Sequence, residues 1–117
     1  MHHDAHAPAA LRTLNFRPGI SGLPRAFRVR AMQWRGVLWL VAKDAGAAIG
    51  WHPDTFRHRR GVTLTGDAWS YATVPTARGA HMMAVVSLPT LGVMLKGTEA
   101  QQARAFGRWL SEPRGVV

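Results

Sequence analysis

The sequence contains no cysteine. Disulfides, thiolate metal sites, iron–sulfur clusters and cysteine nucleophiles are all excluded at once, and the chain is compatible with a reducing compartment. Acidic residues are also scarce. Only six Asp and Glu are present, and no two stand at a helical spacing that would make a carboxylate pair. Ser70, Ser87 and Ser111 lack a nucleophile-elbow context, and no glycine loop of the phosphate-cradling kind occurs. His52, His58 and His81 have no acid–base partner that can be named. The chain is therefore read as a non-enzyme. Apolar runs are short. The longest, 37–42 and 82–86, fall far below the ~20 residues of a membrane span. His, Asp and Pro stand near the N-terminus where a signal peptide carries a basic start and an apolar run. A cytoplasmic protein with no membrane association is expected.

What the chain does have is a hydrophobic fraction of 47% and a large excess of positive charge. Its 117 residues fit one domain that folds without disulfide or metal. Fifteen Lys and Arg face six acidic residues, for a net charge of +9. Residues 25–60 hold Arg25, Arg28, Arg30, Arg35, Lys43, Arg57, Arg59 and Arg60 against Asp44 and Asp54. Such an excess favours polyanionic partners through counterion release. The plainer reading is solvated surface arginine that follows genome base composition.

Residues 1–24 carry three histidines and three prolines with no lasting period. They read as a flexible, disordered segment, with at most a turn of helix around 9–14. Met1-His2-His3 offers a square-planar nitrogen set suited to Cu(II) or Ni(II), but tail histidines are ordinarily incidental and no metal site is assigned. The folded domain is expected over 25–113, with 114–117 a short tail. Phe27, Val29 and Ala31 alternate with Arg28 and Arg30, a period of two that predicts a strand with one basic face. Trp34-Arg35-Gly36 predicts a tight turn. Residues 37–41 predict a strand buried on both faces. Asp44 is placed as N-cap of a helix that stops at Gly50. Pro53 suits the first turn of a second helix running to about Arg60. Short strands are expected at 71–74 and 81–86. Ser87 is expected to cap a helix with Pro89 in its first turn. Thr98-Glu99-Ala100-Gln101 fits a capping box before a helix with Ala103, Phe106 and Leu110 on one face. The fold class is α+β: a small antiparallel sheet, made of an N-terminal hairpin plus central strands, packed with about four short helices.

The two short helices around Gly50 have the outline of a helix-turn-helix. Gly46 stands at the close-packing position, and Ile49, Trp51 and Phe56 supply apolar anchors. The second helix then presents Thr55, Arg57 and His58 to a groove, with Arg59 and Arg60 at its end. Arginine pairs bidentately with guanine or phosphate. An ordinary helical hairpin with a solvated basic face shows the same pattern. Arg28, Arg30 and Arg35 are candidates for phosphate contacts on the hairpin, with Lys43 beside them. The same charges also protect an edge strand from aggregation. Trp34 and Trp51 are candidate base-stacking or partner-anchoring rings, and Trp69 a further anchor. Trp39 and Trp109 sit in core patterns.

Val41-Ala42-Lys43-Asp44-Ala45 and Ile49-Gly50-Trp51, following the hairpin, resemble the Val-Ala-Lys-Asp-Val and Leu-Gly-Tyr stretches of the Bro-N domain. That family is found in baculovirus BRO proteins and at the N-terminus of phage and prophage antirepressors. Ala103 to Glu112 is similar to the family's closing helix, Ala-x-x-Phe-x-x-Trp-Val-x-x-Glu, but one residue short before the Glu. The resemblance covers about 25–112. In the middle, Val86 to Gly92 keeps only the apolar frame of the family's Ile-Asn-Glu-x-Gly-Leu-Tyr. Many members continue into a second domain, for which 114–117 offers no counterpart. The resemblance implies nucleic-acid binding and regulation of phage or host transcription. DNA is the expected partner, duplex rather than single-stranded. It carries no catalytic residue and no cofactor. A protein-interaction module that sequesters a repressor or host factor is the alternative. Homodimerisation would match two half-sites.

Overall fold

A computed structural model describes residues 11–34, 36–52 and 69–112. Its centre is a five-stranded antiparallel sheet in the order β1-β2-β3-β5-β4. The strands are β1 (Leu11–Phe16), β2 (Phe27–Trp34), β3 (Val37–Val41), β4 (Trp69–Thr76) and β5 (Gly79–Ser87). Three helices occur among the described residues: α1 (Ala42–Ile49), α2 (Leu88–Met94) and α3 (Gln101–Ser111). The fourth helix expected, over 53–60, lies outside the described residues, as do 1–10 and 113–117. None of the described helices is long and apolar enough to cross a membrane.

Residues 11–16 are not the irregular lead-in, or the turn of helix, that the sequence suggests. They form an edge strand whose six residues all pair with β2, from Leu11 opposite Met32 to Phe16 opposite Phe27. Tertiary packing decides this. Leu14 and Phe16 are buried on the helical side of the sheet, and a strand with only two apolar side chains on one face gives little signal of its own. The Phe16 ring meets Phe106 edge-on at 5.1 Å and Trp109 at 5.4 Å, both from α3.

β3 behaves as its composition requires. Leu38 and Leu40 belong to the large cluster under the helices. Trp39 and Val41 belong to a second cluster with Met32, Ala72, Val74 and Val85. The sheet therefore buries apolar side chains on both faces, and β3 lies at its middle. The seam from β3 to β5 is short. Only Trp39–Ser87, Leu40–Val86 and Val41–Val85 pair across it.

The helix ends depart from the expected caps. The N-cap of α1 is Val41, with no side-chain cap, and Asp44 lies within the first turn. Its carboxylate is used elsewhere, by Arg30. Thr98 does not cap α3, whose N-cap is Ala100, again with no side-chain bond. Glu99 and Gln101 thus fall at the wrong phase for a capping box. Ser87 does cap α2: its Oγ accepts from the Thr90 amide at 3.4 Å and donates to the Thr90 hydroxyl at 2.7 Å.

Gly50 ends α1 as expected, with φ of 89°. The Trp51 amide donates to the Gly46 carbonyl and the Gly50 amide to that of Ala47, the paired bonds of a Schellman turn. The Gln102 side chain of α3 closes the same helix end, donating to the Ala48 carbonyl at 2.8 Å and to that of Ala47 at 3.3 Å. A Cβ at Gly50 would stand 2.6 Å from Gln102 Oε1. Gly50→Ala is expected to lower stability by about 1–2 kcal/mol from the left-handed backbone alone. Displacement of Gln102 adds to that. Thermal denaturation followed by circular dichroism reads the loss, at roughly 4–8 °C per kcal/mol for a domain near this size.

Candidate nucleic-acid interface

Strand register gathers the basic residues at one end of the sheet. β1 ends and β2 begins there, with Phe16 opposite Phe27. Ala31 pairs with Leu40, so Val41 is level with Arg30 and β3 stops at the same end. Val41 also pairs with Val85, and β5 starts six residues earlier, at Gly79. The β4–β5 hairpin thus runs past the end of β3, as β1 and β2 do on the other side. Between these two hairpins the chain leaves β3 and enters α1.

Arg25, Arg28, Lys43 and Arg78 are at this end, all exposed. Thr13 and Asn15 of β1 stand opposite Arg30 and Arg28 and are exposed as well. This corner of the second sheet face is therefore polar, whereas Met32, Trp39, Val74 and Val85 make its remainder apolar. Arg17 follows β1 directly and lines a recess with Arg108 and Glu112.

Arg30, one of the expected phosphate contacts, is engaged within the chain. Its Nε donates to Asp44 Oδ2 at 2.8 Å and its Nη2 to Oδ1 at 2.9 Å. Its backbone amide donates to Oδ2 at 3.0 Å. The paired side chains are 24% and 12% exposed. Hydrogen bonding to Asp44 raises the Arg30 pKa above its ordinary value; partial burial opposes this and the carboxylate's charge supports it. The Nε–Nη2 edge of the guanidinium is thus occupied by a partner within the chain. The sole carboxylate at this end among the described residues, apart from Glu112 in the recess, is consumed in the same pair. Arg25, Arg28, Lys43 and Arg78 keep their charge uncompensated by Asp44.

The other expected residues divide in two. The β2–β3 turn, flanked by Trp34 and Gly36, lies at the opposite end of the sheet from Arg28, about 20 Å away along the strand. Arg35 itself lies outside the described residues, as do Thr55, Arg57, His58, Arg59, Arg60 and the side chain of Trp69. Trp34 and Trp51 are half-buried rather than presented. Trp34 packs on Trp39 with ring centroids 5.3 Å apart and accepts from the Trp39 indole N–H at 3.3 Å. Trp51 packs against the main core. Trp39 and Trp109 are packed as expected, Trp39 buried and Trp109 against Phe106 and Phe16. Arg25 and Arg78 are new members of the candidate surface. Arg25 was visible as charge, and Arg78 only through the pairing that brings the β4–β5 turn to this end.

Comparison with family models, curated proteins and solved structures returns no match. The assignment of chemistry therefore rests on side chains and their placement.

Arg28 and Arg30 share a strand face but have different roles. Arg28→Ala removes an exposed charge and is expected to leave the melting temperature unchanged, so that any change it makes in a gel shift on duplex DNA reports on the surface and not on folding. Arg30→Ala leaves the partly buried Asp44 carboxylate without its guanidinium partner, and should lower stability by about 1–3 kcal/mol. Melting curves and gel shifts on the two variants side by side check the division.

Proposed function

We propose that the chain is a DNA-binding domain of the phage or prophage regulator type, akin to the Bro-N domains it resembles. It binds duplex DNA through the basic end of the sheet. One observation supports this reading above the rest: Arg25, Arg28, Lys43 and Arg78, from three separate stretches of the chain, all lie toward one end of the sheet. Asp44, the acid next to Lys43 in sequence, is neutralised by Arg30. Cations in this arrangement make phosphate contacts that fix register and orientation but do not read sequence. Sequence reading falls to the stretch following the Gly50 turn, where Thr55, Arg57 and His58 are the groove contacts, with Arg59 and Arg60 on phosphate. α1 and this stretch would dock together as the two halves of a helix-turn-helix.

The alternative, a protein-interaction module anchored on Trp34 or Trp51, finds less support. Both rings are committed to packing within the fold. No metal or cofactor enters the proposed activity.

Binding through phosphates has a salt signature. Log K should fall linearly with log salt, and the slope should shrink by about 0.9 for each phosphate contact removed. Arg25→Ala, Arg28→Ala and Lys43→Ala combined should flatten the slope by about 2–3, measured by anisotropy on a labelled duplex across salt concentrations. Arg57→Ala with Arg59→Ala should weaken binding with the melting temperature retained. If neither set of substitutions changes affinity at two salt concentrations, DNA binding by this surface is excluded.

A further inference from the structure

A groove of about 560 Å³ runs between α2 and α3, elements that carry none of Arg25, Arg28, Lys43 and Arg78. Its floor is apolar and includes Leu95, Ala103 and Leu110, all buried. Three cations rim it, Lys96 from the turn after α2 and Arg104 and Arg108 from α3, each exposed. Among the described residues, no acidic one lines it. Arg104 and Arg108 are four residues apart on one helix and so point the same way.

Gly92 and Gly107 also line this groove, and each lies inside a helix. Neither has a positive φ. A Cβ at Gly92 would meet nothing within 4 Å, and one at Gly107 would meet only the Leu95 side chain, at an ordinary 3.8 Å. Neither backbone conformation nor packing among the described residues calls for glycine at these positions, and glycine inside a helix is destabilising relative to alanine. Their effect is to keep the groove deep and to let another backbone approach closely.

We propose that this groove docks an acidic amphipathic helix from a partner protein. Apolar side chains at i, i+3, i+4 and i+7 of the partner enter between α2 and α3, the usual geometry of helix-in-groove recognition. Its acidic flank meets Lys96, Arg104 and Arg108, which raises the association rate and fixes orientation. The apolar floor separates this surface from the sheet end, because a phosphate backbone has nothing to place on Leu95 and Leu110. α3 has 11 residues, about 16 Å at 1.5 Å per residue, so a partner helix of about three turns matches its length. The inference does not depend on DNA binding by the sheet end.

The probe is a fluorescein-labelled synthetic peptide of about three helical turns with leucines on one face and glutamates elsewhere. A scrambled peptide of the same composition is the control. Fluorescence anisotropy on the full chain should show the amphipathic peptide bound at least about tenfold more tightly than the control. Gly92→Leu fills the groove and should reduce peptide affinity about tenfold with the melting temperature held or raised, which separates blockage from misfolding. Arg104→Glu reverses an exposed charge and should weaken peptide binding, most strongly at low salt. Duplex affinity of Gly92→Leu should equal that of the parent chain. Equal binding of the two peptides, full binding by both variants, or a matching loss of duplex affinity in Gly92→Leu would each overturn the proposal. The last of these would assign the groove to nucleic acid.

Discussion

The contact between Arg30 and Asp44 sets the geometry on which the rest depends. The ladder between β2 and β3 stops at Ala31–Leu40, and the next amide along β2, that of Arg30, has no strand partner at that point. Asp44 supplies one from the first turn of α1 and binds the guanidinium of the same residue. A single carboxylate therefore ends the ladder, fixes where the helix begins and takes up a positive charge. Surface ion pairs contribute little as a rule. This one is partly buried, bidentate and joined to the backbone, the arrangement in which a pair holds geometry. Through it α1 lies across the sheet, Lys43 faces solvent at the basic end, and the chain turns at Gly50 in a defined direction.

Much of this order is legible in the residues. The two-sided burial of β3 follows from five consecutive apolar residues. The stop at Gly50 follows from the need for a left-handed backbone, and the buried stripe of α3 from Ala103, Phe106 and Leu110 at helical spacing. The features that escape local reading are those that a distant partner decides. Leu11–Phe16 is a strand because β2 and α3 cover Leu14 and Phe16. Asp44 has the sequence context of a cap, yet the Arg30 guanidinium and amide outbid the helix amides for it. Gln102 would pass for an exposed polar residue, but it closes the end of a helix more than fifty residues earlier in the chain. For the candidate interface, charge was readable and position was not. Arg28 and Arg35 fall on one hairpin in the sequence, and only the strand register separates that hairpin's two ends.

Two surfaces of opposite chemical character emerge on one small sheet. The end where α1 begins is cationic and polar, built from strand ends and a hairpin turn. The groove between α2 and α3 has an apolar floor and a charged rim, built from helix faces. The first suits a partner that offers charge alone. The second requires a partner that also offers hydrocarbon. A regulator that holds nucleic acid on one side and a protein on the other needs this separation, since a single cationic face would let the two partners compete.

The narrow seam at the centre of the sheet has a kinetic consequence. β1 with β2, β2 with β3, and β4 with β5 are joined by turns or short loops, so each pairing closes locally. β3 meets β5 through only three residue pairs, and those pairs join residues more than forty positions apart. Contacts at that separation incur the largest loop-closure entropy and form late. Assembly should therefore proceed as two hairpin-based halves that collapse separately, and the rate of the whole is governed by the encounter of Trp39, Leu40 and Val41 with their partners on β5.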